Sequence, residues 1–173
     1  MILSGNQIVL ERERKRIHIT PFDPKQVNPA SYDLTLGDSY IEYHGQLDSR
    51  KRNDGYSNFI RPSGVLIQPG TLHLMHTRER INTDHFVGVV DGKSSIGRLG
   101  IQVHLTAGYI DPGFDGQVTL EVICVHPVRI YAGMRIAQIR FEPILGDVTL
   151  YEGHYRGPTA EGAIASRSWE QFE

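Results

Sequence analysis

At 173 residues, 39% hydrophobic and 22% charged, the chain is long enough to bury one core and fits a single domain over 1–173. A formal net charge of -2 and a sequence pI near 6.4 give no electrostatic case for nucleic acid or a membrane surface as partner. The single cysteine excludes an internal disulfide, no apolar run approaches the roughly 18 residues of a membrane span, and no signal peptide opens the chain, so a cytoplasmic location is expected.

In chain order, Ser4 suits the N-cap of a short helix through Gln7, Ile8 and Leu10, which runs into the mixed-charge stretch Glu11–Arg16, a solvated face. Pro21, Pro24 and Pro29 then break regular structure. From Ser31 the pattern turns β-like: Tyr32, Leu34 and Leu36 alternate, with Asp33 on a strand that reads as half-exposed. His44–Arg61 is polar and holds the turn Asn53-Asp54-Gly55, consistent with an exposed loop or loose hairpin. Val65–Ile67, Leu72–Thr77 and Phe86–Val90 read as short strands set off by Pro69-Gly70 and Asn82-Thr83-Asp84.

The stretch from Asp91 to Glu121 carries the chemistry. Gly92-Lys93-Ser94-Ser95-Ile96-Gly97-Arg98 offers two hydroxyls, free backbone N–H groups and two cations, a set that suits a phosphate chain. Ser94 and Arg98 are four apart, so a helical turn would bring them to one face; a plain Gly-Ser loop with a solvated Arg would look the same. Ala107–Gly116 reads as a tight turn in which Gly and Pro hold Asp111 between Tyr109 and Phe114. Gln117–Val122 alternates, sending Val118, Leu120 and Val122 to one face and Thr119 and Glu121 to the other. Gln102 and His104 share a strand face opposite Val103 and Leu105, and His104 reads as a structural histidine near a subunit contact.

Cys124, inside Val122–Val125, reads as a buried reduced thiol. Val128–Tyr131, Ile136–Phe141 and Val148–Tyr151 complete a set of many short strands with little helix, which predicts an all-β barrel or double-sheet fold. Residues 153–173, rich in Gly, Ala and Ser, read as a mobile tail.

The 91–121 run, together with Asn28–Gly37 and Gly162–Arg167, resembles the dCTP deaminase family of the dUTPase-like superfamily over nearly the whole chain. The resemblance implies a distorted β-barrel of the β-clip type and a homotrimer with sites between subunits. It implies dCTP and dUTP as ligands, with Mg²⁺ on the triphosphate and no metal held by the protein itself. By pattern alone, Glu121 is better read as an ordinary solvent-facing strand glutamate; the resemblance makes it the general acid/base. It also puts Ser94 and Arg98 at the active site and places the backbone of Ala107 near the reacting water. Lys93, Ser95, Ile96 and Gly97 match the triphosphate-binding segment. Asp111 matches the acid that contacts deoxyribose, with Tyr109 and Phe114 in a hairpin similar to that of dUTPases, and Thr119 and Leu120 line the base pocket through their backbone. Tyr151, Tyr155 and Arg156 stand where the tail closes over the nucleotide. Asp33 resembles an acid that helps hold the magnesium hydration shell.

Deamination of cytosine by the familiar zinc route needs a Cys/His ligand set and an H-x-E motif, and none of the eight histidines begins H-x-E. A carboxylate must then do the proton work. Family members that release dUTP tend to carry His-Arg where this chain has Gly108-Tyr109, and the bifunctional members that go on to dUMP tend to carry Gly plus an aromatic. The tail lacks the family's Gln after Tyr155, so Arg156 or Arg167 is the candidate for the missing phosphate contact. The rival readings are a dUTP pyrophosphatase without deaminase activity and a non-catalytic nucleotide sensor on the same fold. The intact set of Glu121, Ser94, Arg98 and Asp111 speaks against the sensor.

Overall fold

The computed structural model describes residues 1–106, 108–155, 157 and 161–173. Ser4 caps helix α1 (Gly5–Glu13), its side chain accepting from Gln7 N at 3.2 Å. The strands that follow are β1 (His18–Thr20), β2 (Tyr32–Glu42), β3 (Tyr56–Phe59), β4 (Val65–Ile67), β5 (His73–Asn82) and β6 (Phe86–Gly92). The short helix α2 (Ser94–Gly97) precedes β7 (Ile101–Gln102), β8 (Tyr109–Ile110), β9 (Asp115–Cys124), β10 (Val128–Ile130) and β11 (Arg135–Pro143).

Nine of these strands form one antiparallel sheet in the order β7-β9-β5-β2-β11-β6-β8, with β1 added on β5 and β3 on β2, while β4 and β10 make a separate ribbon. The long strand β2 joins the two halves of this curled sheet. Its first residues, Tyr32–Thr35, pair with β11, and Leu36–Glu42 pair with β5. At the changeover the strand is covered on both faces, so Tyr32, Asp33, Leu34, Thr35 and Leu36 are all buried. Strand β9 behaves differently: it alternates strictly, burying Val118, Leu120, Val122 and Cys124 and turning Gln117, Thr119 and Glu121 outward. Leu120, fully buried, contributes about 2 kcal/mol of transfer energy to the core. That core is continuous, running from Ile8 and Ile17 through Leu34, Met75 and Leu120 to Phe141.

Two polar devices are built into the sheet. His76 fills the space beside Gly37, where a Cβ would lie 2.0 Å from the ring. Its ring nitrogens meet Ser39 Oγ at 3.0 Å and the Thr77 carbonyl at 2.9 Å. His73, only 2% exposed, contacts Glu42 at 2.9 Å.

Two segments differ from the sequence expectation. Val148–Tyr151 joins no ladder; Tyr151 N instead donates to Pro112 O at 2.6 Å, so the segment packs across the Asp111–Gly113 turn. Asp33 is buried rather than half-exposed, because β2 is a junction strand with no open face at that point. Among the described residues no helix is long and apolar enough to cross a membrane.

Candidate active site

The outward face of β9 opens onto a cleft of about 510 Å³, within the range of small-molecule sites. Glu121 and Thr119 stand on its floor, with Asp111 and Tyr109 on one side and Tyr151 and Tyr155 on another. The Glu121 carboxylate is oriented from below: Oε2 accepts from Leu105 N at 3.0 Å and from Thr106 N at 3.3 Å. His104 Nδ1 lies 3.5 Å from the same oxygen and has no other partner within hydrogen-bonding reach among the described residues. Backbone donors of this kind hold the carboxylate in one rotamer.

The loop that supplies them is pinned at Gly108, whose carbonyl accepts from Val90 N at 2.8 Å. A Cβ at Gly108 would come within 2.8 Å of Val90 O, so the approach requires glycine. The turn that follows is closed by Phe114 N donating to Asp111 O at 3.0 Å, with Gly113 at φ 86°. Asp111 is exposed and lines the cleft. Leu120 faces the core, so only its backbone is available to a ligand. Ala107 and Arg156 lie outside the described residues.

A second group forms around α2. Ile96, 6% exposed, anchors the turn, leaving Ser94, Ser95, Gly97 and Arg98 at the surface; Arg98 N donates to Ser94 O at 3.1 Å. Lys93 is not free: its ammonium pairs with the buried carboxylate of Asp33. Asp33 also accepts from Asn28 Nδ2 at 2.7 Å and lies 3.4 Å from Arg135 Nη1. Gln138 donates to Gly92 O at 3.0 Å and accepts from Ser31 Oγ at 2.8 Å, fixing the start of the same segment to β11. Within one chain, none of Lys93–Arg98 lines the cleft that holds Glu121.

Several residues of the cleft carry no functional signal in the sequence, where His104 reads as structural and Tyr43 and Gln117 match no motif. His104, just after β7, lies beside Glu121 of β9, a proximity that no local pattern announces. Tyr43 and Gln117 also line it, together with Ile164–Ser166 from the C-terminal segment. The alternation of β9 does place Gln117 on the face of Glu121, and that was the available signal. Arg167 is engaged elsewhere, pairing with Glu170 and donating to His154 O at 3.1 Å.

Residues 2–144 match the family described as dCTP deaminase-like. The "dCTP deaminase, dUMP-forming" of Clostridium acetobutylicum is 44% identical over 158 residues, covering 90% of this chain and 91% of that protein. The protein of the same name from Hathewaya histolytica is 41% identical over 175 residues, covering 100% of both. The fold is shared with the 2'-deoxycytidine 5'-triphosphate deaminase of Agrobacterium tumefaciens, at a TM-score of 0.65 and 22% identity over 81% of this chain. This chain spans 47% of that longer one. Matched over most of its length in sequence and in fold, the chain belongs to the dCTP deaminase-like family.

Proposed function

We propose that this chain deaminates dCTP and carries the product on to dUMP and pyrophosphate in one site. The observation that carries the reading is the Glu121 carboxylate, fixed by two backbone N–H groups at the floor of a cleft that also holds Asp111 and Tyr109. In the first reaction water adds to C4 of cytosine, N3 takes up a proton, and the C4–N bond breaks to release ammonia. Glu121 takes the proton from water and delivers it to the ring, which requires a carboxylate held still within reach of both. In the second reaction water attacks the triphosphate of dUTP and pyrophosphate leaves.

The other roles are assigned as follows. Ser94 and Arg98 orient base, water and phosphates, and the backbone of Ala107 places the water. Lys93, Ser95, Ile96 and Gly97 receive the triphosphate, with Lys93 acting through the position Asp33 gives it. Asp111 binds the deoxyribose hydroxyl, and Tyr109 packs on the sugar and disfavours a 2′-hydroxyl. Thr119 and Leu120 contact the base, while Tyr151, with Tyr155 and Arg156 of the 153–173 tail, closes over the phosphates, all on a single domain. Because α2 and Glu121 do not share a cleft within one chain, we place the complete site between subunits of a homotrimer. Mg²⁺ is assigned to the nucleotide phosphates: the buried carboxylate that pairs with Lys93 at the start of α2, Asp33, is already surrounded by Lys93, Asn28 and Arg135 and does not fit a metal ligand. The triphosphate substrate sets the reaction in the cytoplasm.

Chromatography of products after incubation with dCTP and Mg²⁺, with dUTP alone in parallel, tests the reading. It expects dUMP and pyrophosphate from dCTP, and loss of ammonia release in Glu121→Gln. Accumulating dUTP would remove the second step, consumption of dUTP alone would make the chain a dUTP pyrophosphatase, and no turnover of either would favour a sensor.

A further inference from the structure

The C-terminal segment meets the cleft through an unusual set of bonds. Gly162 N donates to Gln117 Oε1 at 2.7 Å, Ile164 N to Thr119 Oγ1 at 3.1 Å, and Ser166 N to Tyr43 OH at 2.7 Å. Gly162 itself turns at φ 71°, and from there every second backbone N–H of residues 162–166 finds a side-chain oxygen where a sheet would offer a carbonyl. Gln117 and Thr119 are two apart on β9, as Gly162 and Ile164 are on the segment, so the two run in step. Ile164, Ala165 and Ser166 thereby become a wall of the cleft that holds Glu121.

Gln117 is itself oriented. Its amide nitrogen donates to Arg78 O at 3.1 Å, which turns its carbonyl oxygen toward Gly162. Arg78 lies where the β5–β9 register shifts, between His76 and Arg80, so Arg78 has no register partner on β9. The irregularity in the ladder thus supports the group that receives the C-terminal segment.

We propose that Gln117 and Tyr43 are positioning residues that dock residues 162–166 as the outer wall of the nucleotide cleft. Neither contacts the reacting atoms; both act through the segment they hold. The proposal rests on the reading of this cleft as the dCTP site, and it sets how tightly substrate is retained rather than how fast the bond breaks. One neutral hydrogen bond of this kind is worth roughly a five- to tenfold factor in the docking equilibrium.

The test is hydrogen exchange on the full chain, followed by kinetics. In the wild type, the amides of Gly162, Ile164 and Ser166 exchange more slowly than those of Ala163 and Ala165. Gln117→Leu speeds exchange at Gly162 by about fivefold or more and Tyr43→Phe does so at Ser166, with thermal unfolding of the sheet unchanged. In both variants KM for dCTP rises by about fivefold while kcat holds. Unchanged exchange at 162–166 in Gln117→Leu overturns the docking role. A fall in kcat at constant KM would make Gln117 part of the chemistry instead and would also overturn it. If the wild type turns over no dCTP, the functional reading fails, while the exchange measurement still decides the docking.

Discussion

Replacing Asp33 by Asn keeps the shape of a side chain that is 1% exposed but removes the charge on which Lys93, Asn28 and Arg135 converge. Taking one partner from a buried ion pair costs about 3–5 kcal/mol, because the remaining charge is stranded. The two cations are not equal here. Lys93 keeps 20% of its side chain exposed and loses its principal partner. Arg135, 55% exposed and 3.4 Å away, is screened by water, and its arm is worth under about 1 kcal/mol. The expected loss is therefore about 3 kcal/mol, near the low end of the buried range. With a urea dependence of about 2 kcal/mol per molar, the midpoint followed by far-UV circular dichroism falls by about 1.5 M. If the cost is the stranded lysine, adding Lys93→Met to Asp33→Asn recovers part of it, giving a clear coupling between the two positions. A midpoint shift below about 0.4 M, with no recovery in the double variant, would refute the claim that Asp33 holds the start of α2 through its charge.

Two further outcomes follow from the sheet. Gly37→Ala forces a methyl group against the His76 ring, which two hydrogen bonds hold in place, and should cost about 1–3 kcal/mol in urea unfolding. The same substitution in a His76→Ala background should cost markedly less, and equal costs would mean that the ring is not the obstacle. Burial holds the His73 imidazole below its ordinary value of 6.5, the Glu42 carboxylate only partly offsetting it. The unfolded chain then takes up the proton first as pH falls, so this group's contribution to stability is present above about 6.5 and is lost in more acidic solution. The drop in urea midpoint from pH 7.5 to 5.5 should be smaller in His73→Leu than in the wild type, and identical drops would rule His73 out.

Much of this was legible in the chain itself, where local pattern and final environment coincide. Ser4 caps α1, and Gln117–Val122 alternates in the structure as it does in the sequence, because β9 has one covered face and one open face. Alternation misleads at Asp33 because β2 passes between two halves of the sheet and has no open face there, a fact set by β11 and not by the neighbours of Asp33 in sequence. Val148–Tyr151 has the composition of a strand but joins no ladder; Tyr151 N donates to Pro112 O, so the segment settles on the Asp111–Gly113 turn. His104 reads as remote from the chemistry until the loop is folded, when it lies beside Glu121. Tyr43 and Gln117 carry no motif; their meaning lies in oxygens that face a segment more than forty residues away.

The double allegiance of β2 also bears on the order in which the chain is made. Synthesis at about 5–20 residues per second delivers β5 soon after β2, but β11 arrives about a hundred residues later, on the order of 5–20 s. By the end of that interval β3, β2, β5 and β9 have all been made and can pair, while Tyr32–Thr35 has waited with apolar side chains and an unpaired edge. The edge of β6 waits for the same strand. A message that stops just before β11 therefore yields a half-sheet with two sticky borders rather than a weakened enzyme, and the emerging chain is most in need of a chaperone just before its last strand appears.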